Sequence, residues 1–369
     1  MKTKKSRKFI TILDLYIIKK LIATFVVAIA LIIAVVIMFD LAQKLDDFIQ
    51  NKVPLSKIIF DYYLNYIPNF ANMFGYLFFF IAVIFVTSRL AARTEIIAIL
   101  SGGISFLRLL RPFIFTALLV AIFNLFLTNF VLPHVNKNRL EFERVYYRNP
   151  YKNNLYNIHI QLSKGKYVYV QRFDNVRNTG YRFTEEIFSD NTDSIRSKLS
   201  ADLLIYDSVR KQWLVENWIY RTINGKYETM TRGYRKSINL SMKPNDFNIG
   251  TIKPETLTNK ALNAKIDEER MRGSKLVRIL EVEKYQRLIN PLAYLVLTFI
   301  GVSLSCRKTR GGTGLHLAAG IGMAFAFIII MKATTVMATQ STLHPALSIG
   351  FPIILFFIAS LFLIKQAPK

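Results

Sequence analysis

Few residues of this chain could carry out catalysis or hold a metal ion. Cys306 is the only cysteine, and the histidines lie far apart, at His134, His159, His316 and His344. A thiolate zinc site is therefore excluded, because such a site needs several sulfur or imidazole ligands at short spacing. The sequence also has no phosphate-binding loop, no His-Glu-x-x-His, no Gly-x-Ser-x-Gly and no dinucleotide-binding motif. We expect no catalytic residue, no metal and no cofactor.

A short apolar segment, Arg93–Gly103 (RTEIIAILSGG), has the residue types of a docking helix. Thr94 is placed to cap its start, and Gly102 with Gly103 is placed to end it. The segment is too short to cross a membrane, so it predicts a helix at a membrane face, apolar on one side and carrying Glu95. Docking of a partner protein is one interpretation. The other is an interfacial connector with Glu95 in water.

Small residues recur at four-residue spacing in a later apolar segment, at Gly314, Ala318, Gly322 and Ala326, which we call the small-residue stripe. Small side chains on one face let another helix approach closely. Such a stripe is more typical of static packing than of a moving gate, although a seam of this kind can also slide. Lys332 follows in the same segment. A basic side chain at membrane depth is costly, so it predicts either an anionic lipid ligand or an interfacial anchor.

Composition identifies the elements that must position these residues. Of 369 residues, 52% are hydrophobic, and 49 Lys and Arg outnumber 24 Asp and Glu for a net charge of +25. Soluble globular proteins rarely combine these values, and long aromatic runs exclude disorder. Segments of about 20 apolar residues predict membrane-crossing helices. Six charge-free segments qualify: Leu21–Phe39, Ile67–Val86, Pro112–Pro133, Leu288–Ser305, Thr313–Met331 and Leu343–Ile364.

The distribution of Lys and Arg predicts how these spans are oriented. Basic residues cluster in the N-terminal arm, between the second and third spans, between the fourth and fifth, and in the tail. The connection from Asp40 to Asp61 instead balances three lysines against four aspartates. We therefore expect both termini in the cytoplasm. The polar stretch between the third and fourth spans would lie on the opposite side, which is the periplasm in a Gram-negative cell.

The polar stretch predicts an inserted domain that is mainly β. Short segments with alternating side chains are separated by turn residues, a pattern typical of a sandwich or jelly roll. A charged, proline-free segment, Glu255–Tyr285, predicts a helical return to the membrane with a break at Gly273. The predicted domains are 1–133, 134–254, 255–287 and 288–369. The predicted strands are Lys166–Phe173, Tyr181–Phe188, Lys198–Tyr206, Gln212–Ile223, Lys226–Arg232 and Tyr234–Leu240.

Several short sequence motifs occur in a characteristic order along the chain. Leu13–Tyr16 (LDLY) opens the first helix, Arg93–Gly103 follows the second span, and Arg287–Leu292 (RLINPL) begins the fourth. Arg310–Gly312 and Gly320–Gly322 mark the loop before the fifth span and the span itself. With three spans, a β insert and three more spans, the chain resembles the LptF/LptG permease family of lipopolysaccharide export. The resemblance covers nearly the whole chain, and its opening favours the G side.

The resemblance implies a permease subunit of an ABC transporter in the bacterial inner membrane. Family members pair as a heterodimer of F and G, and a cytoplasmic ATPase dimer drives them. Lipopolysaccharide enters a cavity between the two halves and rises into β-jellyroll domains, then to a periplasmic bridge protein with the same fold. The chain itself would not be an enzyme, and no nucleic-acid partner is expected.

The resemblance also implies roles for particular residues. Glu95 would sit in a groove of the ATPase, with Arg93, Ile97 and Gly102 beside it. Spans one and five would form a lateral gate, with the small-residue stripe as its sliding seam.

Basic residues at the periplasmic rim would contact lipid phosphates, each contributing roughly 1 kcal/mol near a surface. Asp40 lies where the family leads us to expect a basic residue. The region from 134 to 287 has 29 Lys and Arg against 18 Asp and Glu, which suits an anionic ligand or, more simply, anionic lipid heads. The rim candidates, on position alone, are Lys44, Lys52, Arg139 and Lys332.

Two other functions fit the same layout. A membrane-anchored periplasmic sensor or assembly scaffold would bind a partner through its β domain without transport. A channel is disfavoured, because no span carries a ring of charge.

Overall fold

The computed structural model describes residues 11–146, 155–174, 176–189, 192–225, 227–247, 253–274, 276–307, 312–340 and 343–366. The chain divides into two compact units, one of residues 1–147 and 281–369 and one of residues 148–280. Among the sequence features, the basic arm at residues 2–8, Arg310, Gly311 and Lys369 lie outside the described residues.

The first part of the helical unit is a series of long helices with two π-helical insertions, Ile58–Tyr63 and Leu127–Val131. Each insertion continues into the helix that follows it. The helices are α1 (Ile12–Gln50), α2 (Leu55–Lys57), α3 (Leu64–Ala92), α4 (Glu95–Ser101), α5 (Phe106–Phe126) and α6 (Leu132–Tyr146).

The last part of the chain adds α8 (Leu276–Ile289), α9 (Leu292–Ser305), α10 (Gly312–Gln340) and α11 (Pro345–Gln366), after α7 (Asn259–Met271) of the other unit. In the described residues, five helices are long and apolar enough to cross a membrane, or six if α8 and α9 count as one span bent by 49°. The bend lies at Pro291, because proline has no N–H to continue the helix. The prediction of a helical membrane bundle with an inserted β domain is confirmed.

The core of the helical unit lies between α3 and α9. Phe79, Phe80 and Val83 of α3 are fully buried, as are Ile300 and Val302 of α9. Gly301 lets the two helices approach closely, because a Cβ there would lie 2.9 Å from the Val83 side chain.

The buried residues of α1 lie only near its ends, although Phe25 in its first half also packs on Phe79 of α3, with ring centroids 5.3 Å apart. The buried residues are Asp14, Ile17 and Leu21 in the first turns and Phe48 in the last. Between Ile22 and Asp47 no residue is buried, although the stretch 22–39 carries no charge. The middle of α1 therefore presents a largely apolar surface that the described part of this chain covers only in part.

The β unit contains one six-stranded antiparallel sheet whose strands follow one another in chain order. The sequence analysis missed the first strand, β1. It also predicted two last strands divided at Gly233, which was wrong because they are the single strand β6. The strands are β1 (Leu155–Ser163), β2 (Lys166–Asp174), β3 (Thr179–Ser189), β4 (Thr192–Asp207), β5 (Gln212–Asn224) and β6 (Tyr227–Ile238).

The sheet is strongly curled around one apolar face. Phe173 of β2 and Trp213 of β5 are three strands apart, about 14 Å in a flat sheet at ~4.8 Å per strand. Their ring centroids are only 6.4 Å apart. The chain after β6 closes this face, where Phe247 stacks on Phe173 and the Trp213 indole donates a hydrogen bond to the Met242 carbonyl.

α7 and the start of α8 form a small helical pair in the β unit. Leu262, Ile266, Leu276 and Leu280 are buried together between them. Gly273 separates the two helices with a φ of +66°, which confirms the predicted break and its position.

Candidate functional site

The predicted docking segment forms the short helix α4. Thr94 precedes it in the left-handed region, with φ +59°, and its hydroxyl donates to the Arg93 carbonyl instead of capping the helix. Thr94 therefore occupies the predicted N-cap position, but its side chain makes no capping hydrogen bond. Gly103, with φ +83°, follows the last turn, where the sequence predicted the end. Ile96 is buried on the bundle side, whereas Ile97 is 53% exposed.

Glu95 lies in the first turn of α4 and contacts the first turns of α1. Its carboxylate accepts a hydrogen bond of 3.0 Å from the Tyr16 hydroxyl and lies 3.8 Å from the Lys20 ammonium. The Lys20 ammonium also lies over the Tyr16 ring and contacts its hydroxyl. The Glu95 side chain keeps 29% of its surface exposed, so it is held by α1 and still accessible.

A second contact ties α5 to the start of α1. The Arg108 guanidinium donates two hydrogen bonds to the Asp14 carboxylate, at 2.7 and 2.6 Å. The same carboxylate accepts from the backbone N–H and the hydroxyl of Thr11, both at 2.8 Å. Bidentate Arg–carboxylate pairs are among the stronger polar contacts in proteins. α4 and the helix that follows it, α5, are therefore both fastened to the start of α1.

Two of the four predicted rim cations are held in ion pairs. Lys44 lies 2.6 Å from Asp40, over the Tyr62 ring and in contact with the Tyr62 hydroxyl. Arg139 of α6 lies 3.2 Å from Glu143, whose side chain is 5% exposed. The Lys44 and Arg139 side chains are each only 13% exposed.

The other two predicted rim cations are exposed. Lys52 lies in the turn after α1 with φ +49°, and Lys332 lies on the outer face of α10. The structure therefore does not bring the four cations together as one group.

All four residues of the small-residue stripe lie on the exposed face of α10. A Cβ added at Gly314 or Gly322 would meet no atom of the described residues within 4 Å. The opposite face packs on α3 through Gly320, where an added Cβ would lie 2.1 Å from Ile84 Cδ1. Within this chain, the close approach of α10 to a neighbour depends on Gly320 and not on the stripe.

Sequence reasoning did not single out Tyr16, Lys20 or Arg108, which make the contacts of this end of the bundle. Two signals were available. Tyr16 closes the Leu13–Tyr16 motif, and Lys20 follows it at the four-residue spacing that places side chains together on a helix. Arg108 carries no such local signal, because its partner Asp14 is 94 residues away.

The sequence as a whole was compared with known proteins. The family described as Lipopolysaccharide export system permease LptF/LptG matches residues 15–366, which include both the helical unit and the inserted sheet. A search of curated proteins found no match. Because the family match covers nearly the entire chain, this protein belongs to the LptF/LptG family of lipopolysaccharide export permeases, which are transport components of the inner membrane.

Proposed function

We propose that this chain is one permease subunit of an ABC transporter that extracts lipopolysaccharide from the inner membrane and passes it through its β domain toward the outer membrane. The family match over residues 15–366 carries the proposal, because this single match includes both the helical bundle and the sheet. ATP hydrolysis takes place in a separate cytoplasmic ATPase dimer. Both termini and α4 face the cytoplasm in this proposal, and the β unit lies in the periplasm.

Uncovered apolar surfaces support the role of a shared lipid cavity. The middle of α1, which has no buried residue, and the exposed small-residue stripe of α10 are only partly covered within the described part of the chain. A second permease of the same family would cover them or, with this chain, enclose the acyl chains of the lipid. The β unit lies on the proposed path of the lipid, after which a periplasmic jellyroll bridge receives it.

The exposed part of α4 supports its role as the contact for the ATPase. Arg93, Ile97 and Gly102 are all exposed, next to the partly exposed Glu95. These residues place an apolar side chain, a carboxylate and a cation at one short helix, whose exposed apolar side chain suits docking in a groove of a partner. The Tyr16 and Lys20 contacts orient the Glu95 carboxylate before docking.

We assign phosphate contacts to the exposed Lys52 and Lys332. Lys44 and Arg139 hold Asp40 and Glu143 in place, and breaking a buried pair leaves a charge uncompensated. They therefore shape the rim and do not bind phosphate directly.

Reversing the charge of Glu95 tests the proposal. We expect Glu95→Lys to abolish co-purification of the ATPase and ATP-dependent lipopolysaccharide release from proteoliposomes, because it places a cation against Lys20 and removes the carboxylate. Glu228→Lys, at an exposed ion pair of β6, makes the same change elsewhere and should leave both unaffected. Tyr16→Phe removes only the donor to Glu95 and should weaken coupling partially.

Unchanged ATPase co-purification and unchanged release by Glu95→Lys would contradict the assignment of α4. If the purified chain associates with no second permease and no ATPase, the transporter proposal itself is wrong. A sensor or scaffold would then bind its partner without releasing lipid.

A further inference from the structure

The sheet contains a line of unusual backbone that crosses all six strands. Asn157, Arg182 and Asn217 adopt left-handed conformations inside strands β1, β3 and β5, with φ of 54°, 52° and 52°. In the described chain, the other non-glycine residues with positive φ lie in turns. The three residues are in register with Gln171, Asp202 and Tyr234 of the intervening strands. We call this line of six residues the crease.

Strand pairing is interrupted at the crease and resumes beyond it. In each of the five strand pairs, the ladder skips the pair of residues on this line and continues in the same register on either side. The crease is therefore one feature of the whole sheet and not a set of separate irregularities. A left-handed arginine is strained, and such strain is concentrated at functional sites.

The crease also changes which residues face the core. Buried residues alternate normally on either side but are three apart across the crease, at Val170 and Phe173 in β2 and at Ala201 and Leu204 in β4. Two consecutive residues per strand are therefore turned away from the core. These outward pairs are Gln171–Arg172, Tyr181–Arg182 and Asp202–Leu203 in the central strands.

Together with Tyr156, the outward pairs line an open depression of about 460 Å³ on the outer face of the sheet, which we call the crease cavity. This volume is in the range of small-molecule sites. The Arg172 guanidinium lies 4.3 Å from the Tyr181 ring centroid, and the Asn217 amide donates a 3.1 Å hydrogen bond to the Asp202 carboxylate. Tyr156 is 62% exposed beside them.

From this arrangement we infer that the crease cavity is a binding site for an anionic sugar, namely the phosphorylated saccharide of the lipid. Guanidinium groups bind phosphate with two directed hydrogen bonds, and the faces of tyrosine rings pack on the apolar faces of sugar rings. Gln171 and Asp202 supply an amide and a carboxylate for sugar hydroxyls. The inference rests on the proposed function for the origin of the sugar. It adds that the saccharide binds on the outer face of the curled sheet, opposite the buried apolar core.

Direct binding of a soluble sugar tests this site. The probe is a deacylated, phosphorylated oligosaccharide from lipopolysaccharide, titrated calorimetrically into the full chain in phosphatidylcholine nanodiscs. We expect Arg172→Gln and Arg182→Gln each to raise the Kd about tenfold, since each removes a charge-assisted hydrogen bond. Asp202→Asn removes the one negative charge of the cavity lining and should lower the Kd. Arg221→Gln changes an arginine on the same strand as Asn217, outside the crease, and should have no effect.

A glycine variant separates binding from folding. Arg182→Gly removes the cation but suits the left-handed backbone, so it should fold and still lose affinity about tenfold. Wild-type affinity in Arg182→Gly, equal binding of the dephosphorylated oligosaccharide, or an equal loss in Arg221→Gln would each overturn the inference. Binding requires neither ATP nor a second permease. A chain that binds the oligosaccharide specifically but releases no lipid in the full complex would therefore contradict the proposed function alone.

Discussion

The Asp14 carboxylate joins three parts of the chain at once. It caps its own helix through Thr11 and receives both guanidinium hydrogen bonds of Arg108 on α5. Its side chain is 8% exposed, so these four contacts replace its hydration. A carboxylate so placed is costly to leave without its cation. The geometry of the α1 start is therefore set by one residue that a helix-capping pattern alone would describe as local.

Two aspartates at turns of the β unit make its stability sensitive to acid. Asp174 accepts from the N–H groups of Arg177 and Val176, and Asp207 accepts from those of Arg210 and Val209. These backbone donors hold the pKa of both carboxyls below the ordinary value of 3.8. Their contribution to stability is therefore present above the pKa of the unfolded chain and is lost as pH falls through the folded pKa.

We expect the free energy of unfolding of the β unit to fall between about pH 5 and pH 2, followed by tryptophan fluorescence, with part of that fall due to these two groups. In the double variant Asp174→Asn and Asp207→Asn, the turns keep an acceptor but lose the ionisation. The slope of stability against pH should then decrease in this window. An unchanged slope would show that the turn aspartates do not contribute.

At the scale of elements, α10 carries two glycines on different faces, and substituting each one tests a different contact. Gly320 faces Ile84 of α3, whereas a Cβ at Gly322 would meet no atom of the described residues within 4 Å. Leucine at position 320 must displace a packed side chain, so we expect Gly320→Leu to lower the stability of the purified chain by about 1–3 kcal/mol. Gly322→Leu should leave that stability unchanged but reduce assembly with the second permease.

Thermal unfolding in detergent and co-purification measure the two effects separately. Equal thermal stability of the two variants would contradict the assignment of the packing face. Normal assembly of Gly322→Leu would contradict the proposal that the small-residue stripe faces the second permease.

The membrane elements could be predicted because charge-free runs identify them without any knowledge of packing. Which face of a span is buried could not be predicted in the same way. α10 is apolar all round, so hydropathy has no period to follow, and small residues occur on both faces. Gly233 was misinterpreted because glycine often ends a strand. It lies inside β6 instead, where the Trp218 ring packs so closely that a Cβ would be 2.7 Å from it.

The sequence predicted where the residues of the candidate site lie along the chain, but not which residues they contact. The bounds of α4 follow from its glycines and its apolar run. The pairing of Lys44 with Asp40 has four-residue spacing and could have been noticed, whereas the Arg108–Asp14 pair depends on how α1 and α5 meet. The crease is invisible to sequence patterns, since it depends on six strands sharing one irregular line.

At the scale of the whole molecule, the uncovered faces of α1 and α10 predict contacts with another chain. Cys306 is the only cysteine and is buried, so Cys306→Ser provides a cysteine-free background. We expect Gly322→Cys in that background to form a disulfide with a cysteine placed in the first span of the second permease. Cross-linking should decrease when nucleotide drives the gate open. Gly320→Cys, on the opposite face, should form no cross-link.

The support of α1 has a mechanical consequence. The helix is fixed near its start by Asp14, Ile17 and Leu21 and near its end by Phe48, with no buried residue between. A helix held near both ends is displaced most easily at its middle. A small tilt of the first turns of α1, applied through the Glu95 carboxylate, would displace the middle of the helix sideways some 25 Å away at ~1.5 Å per residue. A force that an ATPase applies at the cytoplasmic surface would thus reach the part of α1 that contacts lipid at the centre of the bilayer, without any hinge in the helix.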